Sequence, residues 1–320
     1  MQMQGRKAKA PVAIVITSYN EEGTLARAID AALAQDAQFP YSVWVIAGGT
    51  DGTANVARKY SDLVNVVVEE RPRGKPNALN TVIPRVDADV LVLTDGDVYI
   101  GPRSLENIMR EFSDPAFGGV SGKLVPTNDP GTMFGFFARL SYHEINRHRV
   151  KEMREYGDVY FATGYLFGIR KDAFRELPTD ILADDGYMSE VIHEKGLKIG
   201  YCAGAPVHIR YPGTVHDFML QKRRTRGGYL QLKALFGGRK GHPEKRSFGQ
   251  EIREYVMHGF SYVRNVRELL YLAAFYFLSF GSWMAAFYDQ RVARRAGSRV
   301  WKPVGSTKSV KGGDGGGRRT

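Results

Sequence analysis

The apolar positions of this chain follow two rhythms. Short continuous runs, Val12 to Thr17, Ser42 to Ala47, Val64 to Val68 and Val90 to Leu93, alternate with segments in which apolar residues return every three or four positions. A run with no polar alternation suits a strand covered on both faces, the normal situation in a parallel sheet. The clearest periodic segment follows the first run: Leu25, Ala28, Ile29, Ala32 and Leu33 share one helix face, with Asn20 expected as the N-cap and Glu21 and Glu22 in the first turn. Helices over Thr53 to Tyr60 and Pro76 to Ile83 complete the alternation. This order predicts right-handed βαβ crossovers and an α/β fold, a mostly parallel sheet flanked by helices.

Past Ile100 the rhythm loosens. Helices are expected over Leu105 to Phe112, Met133 to Val150 and from Asp184-Asp185 towards Lys195, and strands over Val120 to Val125 and Leu197 to Cys202. A helix over Phe218 to Leu235 is expected to break at Gly227-Gly228. Tyr160 to Ile169, which contains Thr163-Gly164, is expected to pass near any site at the sheet edge.

Leu269 to Tyr288 has no charged residue in twenty positions, with Arg264 and Arg267 before it and Arg291, Arg294 and Arg295 after. At about 1.5 Å per residue it matches a hydrocarbon core of about 30 Å. Its early aromatics equally suit a helix lying in the interface, or a contact in a homo-oligomer. The divisions expected are a basic arm (1–10), a catalytic domain (11–240, with halves of about 11–100 and 101–240), a C-terminal helical region (241–290) and a disordered Gly-rich basic tail (291–320).

Composition narrows the classes. With 320 residues and 43% hydrophobic content, the chain can bury a substantial core. The net charge of +11 raises nucleic-acid binding, but Arg6, Lys7 and Lys9 at one end and the last thirty residues at the other carry all of it. The body between is neutral, so nucleic acid is not the expected partner. A lone Cys202 excludes an internal disulfide and a thiolate zinc cluster, and the seven histidines offer no H-E-x-x-H spacing. Pro11 to Thr17 is too short for a secretory signal.

The Val90 to Leu93 run ends in Thr94-Asp95-Gly96-Asp97. Two carboxylates at the carboxyl end of a central strand stand where open α/β sheets bind ligands, and hard oxygen donors at a loop suit Mg²⁺ or Mn²⁺ shared with phosphate. Asp-Gly is also an ordinary β-turn signal. Asp184 or Asp185 can likewise be an N-cap, Lys222 to Arg226 a solvated helix face, and His208 a structural histidine. Two phosphate fingerprints fail: Gly118 to Lys123 is one residue short of a P-loop and is followed by Leu124, and Gly48 to Gly52 does not fit G-x-G-x-x-G.

The ordered set Thr17-Ser18-Tyr19-Asn20-Glu21-Glu22, Gly49-Thr50-Asp51-Gly52-Thr53, Gly74-Lys75-Pro76-Asn77, Asp95-Gly96-Asp97, Thr163-Gly164, Ala183-Asp184-Asp185 and Gln221-Lys222-Arg223-Arg224 resembles the family 2 glycosyltransferases of the GT-A fold over about residues 11 to 230. The resemblance implies a nucleoside-diphosphate sugar donor, a hydroxyl acceptor and a Mg²⁺ or Mn²⁺ cofactor; Leu269 to Tyr288 and the basic tail make a lipid-linked or membrane-proximal acceptor the expectation. It makes Asp97 and Asp95 metal ligands, with His208 a weaker candidate. Asp185, with Asp184, matches the general base. Thr17, Tyr19, Glu21, Asp51, Lys75, Asp95, Arg223 and Arg224 match donor contacts, Tyr19 by stacking on the base and Lys75 as a point charge on the diphosphate. An inverting displacement follows from the same likeness, while Leu269 to Tyr288, the basic tail and the short apolar start make the cytoplasmic face of a membrane the expected location. Two departures stand out: Ile46-Ala47 where an acidic residue usually meets the base, and Thr225 in place of the tryptophan of Q-x-x-R-W. The rival readings are a nucleotidyltransferase, which would want a basic glycine-rich loop after the first strand, and a non-enzymatic basic adaptor for RNA or anionic lipid.

Overall fold

The computed structural model describes residues 11–237, 258–289 and 305–308. The expected basic arm, the last residues of the expected catalytic domain (238–240), part of the C-terminal helical region (241–257 and 290) and most of the tail (291–304 and 309–320) lie outside them.

Eight strands form one sheet: β1 (Val12–Tyr19), β2 (Tyr41–Gly48), β3 (Asn65–Glu69), β4 (Val90–Asp95), β5 (Val98–Ile100), β6 (Phe117–Pro126), β7 (Leu166–Arg170) and β8 (Lys198–Ile209), in the order β3-β2-β1-β4-β7-β6-β8-β5. The first four in that order are parallel. β7 runs antiparallel between β4 and β6, β6 and β8 are parallel, and β5 closes the far edge antiparallel to β8. The helices are α1 (Leu25–Leu33), α2 (Thr53–Arg58), α3 (Lys75–Val82), α4 (Ser104–Glu111), α5 (Met133–Tyr156), α6 (Asp184–Glu194), α7 (Val215–Phe236) and α8 (Val266–Phe287).

The central apolar runs, those of β1 and β4, are buried on both faces, as a parallel arrangement demands, whereas β3 at the sheet edge is only half-buried. Val12, Ile14, Ile16, Val90 and Val92 pack into a layer with Leu25, Ile29, Leu105 and Phe137. Ala13, Val15, Leu91 and Leu93, one residue out of phase, face the opposite layer with Leu79, Val82, Met188 and Ile192. At about 1.5–3 kcal/mol for each large side chain fully buried, these two layers dominate the fold's stability.

Four local expectations are corrected. Asn20 does not cap α1, whose N-cap position is Thr24; Asn20 adopts φ 53° and its Oδ1 accepts from the Thr50 amide at 2.7 Å, tying the loop after β1 to the loop after β2. Gly49 meets it at φ 124°, where an added Cβ would stand 2.2 Å from Asn20 Oδ1. Helix α7 runs unbroken through Gly227-Gly228. A Cβ at Gly228 would stand 2.8 Å from that of Ala183, so the glycine permits close approach to the start of α6. Strand β8 continues past Cys202 to Ile209, because a register shift opposite Gly122/Lys123 absorbs Ala203-Gly204-Ala205, which read locally as a break. The short β5 was not expected at all.

Helix α8 lies along the body. Phe275 stacks edge-on against Phe137 at 5.2 Å between centroids, Arg139 pairs with Glu268 at 2.9 Å, and buried Arg226 donates to the Ser279 carbonyl at 2.6 Å. Its other face leaves Leu269, Leu270, Phe277, Phe280, Met284 and Phe287 exposed. Among the described residues this is one helix long and apolar enough to cross a membrane. In the tail expected to lack structure, Gly305–Thr307 forms a 3₁₀ turn packed on the body.

Candidate active site

The pairing of β1 with β4 places Thr17 opposite Asp95, and the Thr17 hydroxyl donates to Asp95 Oδ1 at 2.9 Å. The Gly96 amide donates to the Thr17 carbonyl at 2.9 Å. A Cβ on Gly96 would stand 2.5 Å from Glu21 Oε2 and 2.6 Å from Ser18 Oγ, so the buried Glu21 carboxyl lies directly against the Asp95-Gly96-Asp97 turn. The turn is real but makes no hairpin: β5, which follows it, pairs with β8.

Gly74, at φ 97°, turns the chain into α3, and Lys75 at its first position reaches back over the sheet edge. Lys75 Nζ donates to Asp95 Oδ1 at 2.7 Å and lies 3.3 Å from Asp184 Oδ2. One ammonium thus joins the carboxyl end of β4 to the start of α6. Neither aspartate of that pair is the N-cap, which is Ala183. Asp185 Oδ2 accepts from the Gly164 amide and Oδ1 from the Gly186 amide, each at 2.8 Å, so two backbone donors hold the carboxylate at the cavity wall.

The charges are strongly perturbed. Burial, then the neighbouring Asp97, pushes Glu21 up to about 8. Burial and Asp95 push Asp97 up to about 6. Asp185 is also raised, by burial and by Asp184, against the lowering effect of its two amide donors and Lys75. Burial would lower Lys75, but Asp184 and Asp95 outweigh it and hold the amine protonated. Like carboxylates confined together each raise the cost of ionising the other, and a cation relieves that cost.

These groups line a cavity of about 1190 Å³. Thr17, Tyr19, Glu21, Lys75, Asp95, Asp97, Asp184, Asp185 and Arg224 all face it, as do Thr163 and Gly164. Three expected residues do not line it. Asp51 braces its own loop, accepting from the Thr53 amide at 3.0 Å and the Glu22 amide at 3.2 Å. Arg223 forms a two-pronged pair with Asp289 beyond α8. His208 sits within β8, opposite Tyr99 of β5 and Val125 of β6.

Other wall residues were missed. Glu69 ends β3 beside Gly48 and lines the same end of the cavity as Ile46 and Pro72. The signal was present, an acidic residue closing an apolar strand as in β4. Tyr142 and Tyr165 line the interior, and Thr307 and Lys308 arrive from the far end of the chain with no local signal.

The donor set fits a divalent cation in an open site. Asp95 and Asp97 offer hard oxygens, and Glu21 Oε2 is a buried oxygen without a hydrogen-bond partner beside them. Among the described residues no three ligand-type side chains enclose an ion. An ion here would complete its shell with water and substrate phosphate, the normal arrangement for Mg²⁺.

The family model for glycosyl transferase family 2 matches residues 13–178. The chain belongs to that family. The match takes in β1 through β7 and ends before Asp184, Asp185 and Arg224, so family membership rests on the first half and the opening part of the second. Among curated proteins the chain is similar to the O-antigen chain rhamnosyltransferase RfbN of Salmonella typhimurium, 26% identical over 208 residues, 61% of this chain and 65% of that one. It is also 24% identical over 229 residues to the poly-beta-1,6-N-acetyl-D-glucosamine synthase of Staphylococcus aureus, 69% of this chain and 55% of that one. The hyaluronan synthase of Streptococcus pyogenes is 31% identical over 136 residues, 39% of this chain and 32% of that one. The chain therefore spans under two thirds of these relatives. Among solved structures, the mannosyltransferase PcManGT from Pyrobaculum calidifontis, in complex with GDP-Man and Mn²⁺, superposes with a TM-score of 0.62 at 19% identity, over 90% of this chain and 88% of that one. The family 2 chain thus has the GT-A fold.

Proposed function

We propose that this chain is a metal-dependent, inverting glycosyltransferase that moves a sugar from a nucleoside-diphosphate sugar to a hydroxyl acceptor at a membrane surface. The observation that carries the reading is the Lys75 ammonium shared between Asp95 and Asp184, which puts the donor half and the base-bearing helix on one cavity.

Each residue then has a task. The nucleoside lies against Tyr19 and the end of β2, where Glu69 supplies the acidic group that Ile46-Ala47 lacks. Lys75 and Arg224 face the diphosphate. Asp97 and Asp95 hold the divalent cation, which when bound offsets the negative charge growing on the leaving nucleoside diphosphate. Asp185 accepts the proton of the acceptor hydroxyl while that oxygen bonds to the anomeric carbon and the bond to the diphosphate breaks. Attack opposite the leaving group inverts the configuration. The raised affinity of Asp185 for a proton makes it a stronger base than a free carboxylate.

The membrane part rests on α8. Both its ends and its middle are tied to the body, while a row of large apolar side chains faces outward beside exposed Arg264 and Arg267. That arrangement supports a helix lying in the interface, its apolar face among acyl chains and its arginines at anionic headgroups, in preference to a span.

The test is a thermal-shift screen of nucleoside diphosphates with and without Mn²⁺. One nucleotide raises the melting temperature, and more so with metal, since a ligand bound only by the folded state stabilises it. No shift with any of them removes the donor assignment.

A further inference from the structure

The last described residues do not hang away from the fold. Gly305–Thr307 makes its turn against the start of α7: the Ser306 amide donates to Asp217 Oδ2 at 2.8 Å, and Ser306 Oγ accepts from the Gly213 amide at 2.9 Å. From that anchor the next two residues enter the cavity. The buried Thr307 hydroxyl donates to Asp97. Lys308 Nζ lies 3.0 Å from Glu21 Oε1, donates to the Tyr19 carbonyl, and sits 5.8 Å from the centre of the Tyr19 ring.

These partners are the groups assigned to the cation and the nucleoside. Glu21, Asp95 and Asp97 crowd three carboxyls around one turn, and Lys308 supplies a positive charge to that cluster from a chain end nearly three hundred residues away. Lys75 is already committed to Asp95 and Asp184 on the other side. A divalent ion at Asp97 would meet a like charge at Lys308, and the Asp97 carboxylate would have to serve both the ion and Thr307.

We infer that Gly305 to Lys308 is an internal strap in which the Lys308 ammonium stands in for the divalent cation, so that metal and donor must displace it to load the site. The inference rests on the metal-dependent reading above. By linkage, if metal loosens the strap, loss of the strap tightens metal by the same factor.

The test is Mn²⁺ binding to the full chain without donor, followed by electron paramagnetic resonance of the free ion. In Lys308→Met the Kd for Mn²⁺ falls about tenfold, the size expected for removing one nearby like charge, while Lys308→Arg stays near the unaltered protein. Ser306→Pro removes the anchoring amide and hydroxyl yet keeps Lys308, and it also lowers the Kd. Trypsin cleavage after Lys308 in the unaltered protein speeds up when Mn²⁺ and a nucleoside diphosphate are added. A Kd that is unchanged or higher in both neutralised and unanchored variants overturns the strap, and a higher one would mean that the segment closes over the metal as part of its site. No Mn²⁺ binding by any of these proteins, at any concentration, overturns the metal reading and the strap with it.

Discussion

Asp185, the base in the proposed mechanism, is held in place by two backbone amides. Gly164 and Gly186 fix its carboxylate at the cavity wall, yet burial and Asp184 still raise its affinity for protons. Because the base must be ionised to act, the acidic limb of kcat lies above 3.8, the ordinary value for aspartate, and activity rises as pH passes through the shifted value. Asp185→Asn keeps both the shape and an acceptor for one amide but removes the base. Its expected outcome is a fall in kcat of about 10²–10⁴, with donor affinity unchanged by isothermal titration. An equal loss of donor affinity would assign the residue a structural part. At the same scale, Asn20 ties two loops together where local reading made it a helix cap, and Asp51 and Arg223, beside the right motifs, make loop and helix contacts within the fold.

At the scale of elements, the start of α6 is placed by packing against α7. Gly228 comes so close to Ala183 that a Cβ would overlap it at 2.8 Å. Gly228→Ala sets two effects against each other: alanine favours the helix by about 1 kcal/mol, and overpacking costs about 1–3 kcal/mol. Overpacking wins, because the atom it meets is a Cβ fixed to the backbone. The variant should lose up to about 2 kcal/mol in urea unfolding and lose kcat as Asp184 and Asp185 shift, with donor binding less affected. A more stable variant with full activity would show that α6 has room to move. A window of sequence around Gly227-Gly228 shows only weak helix formers; the reason for them lies in another helix.

For the whole molecule, the proposed membrane contact rests on α8. Its inner face is bound by Phe275, Arg139 and Arg226, which leaves its outer apolar face exposed, the face proposed to meet a membrane. Phe277 is 77% exposed, and Phe277→Asp removes apolar surface without touching the core. Co-sedimentation with vesicles containing anionic lipid should fall about tenfold for this variant, the order expected from the loss of one deeply inserted aromatic, with turnover of a soluble acceptor unchanged. Equal sedimentation, together with a concentration-dependent oligomer, would turn the face into a protein interface. The strand order sets the cavity in the same global way: β1 and β4 are neighbours, β7 crosses antiparallel, and the start of α6 is delivered opposite the acid turn.

The part of this fold readable from the residues alone is the part that short-range physics encodes. Short apolar runs without alternation suit covered strands, and a strand that ends in carboxylates delivers them to the sheet edge, so the parallel half, the Asp95-Gly96-Asp97 turn and the amphipathic α1 were legible from their own residues. The tertiary structure alone decided which charges meet. Lys75, Asp95 and Asp184 converge, Glu69 lines the cavity beside the end of β2, and Thr307 and Lys308 reach Asp97 and Glu21, through strand order and packing that bring distant segments together. Such contacts depend on the path of the whole chain, and no local pattern of polar and apolar residues carries them.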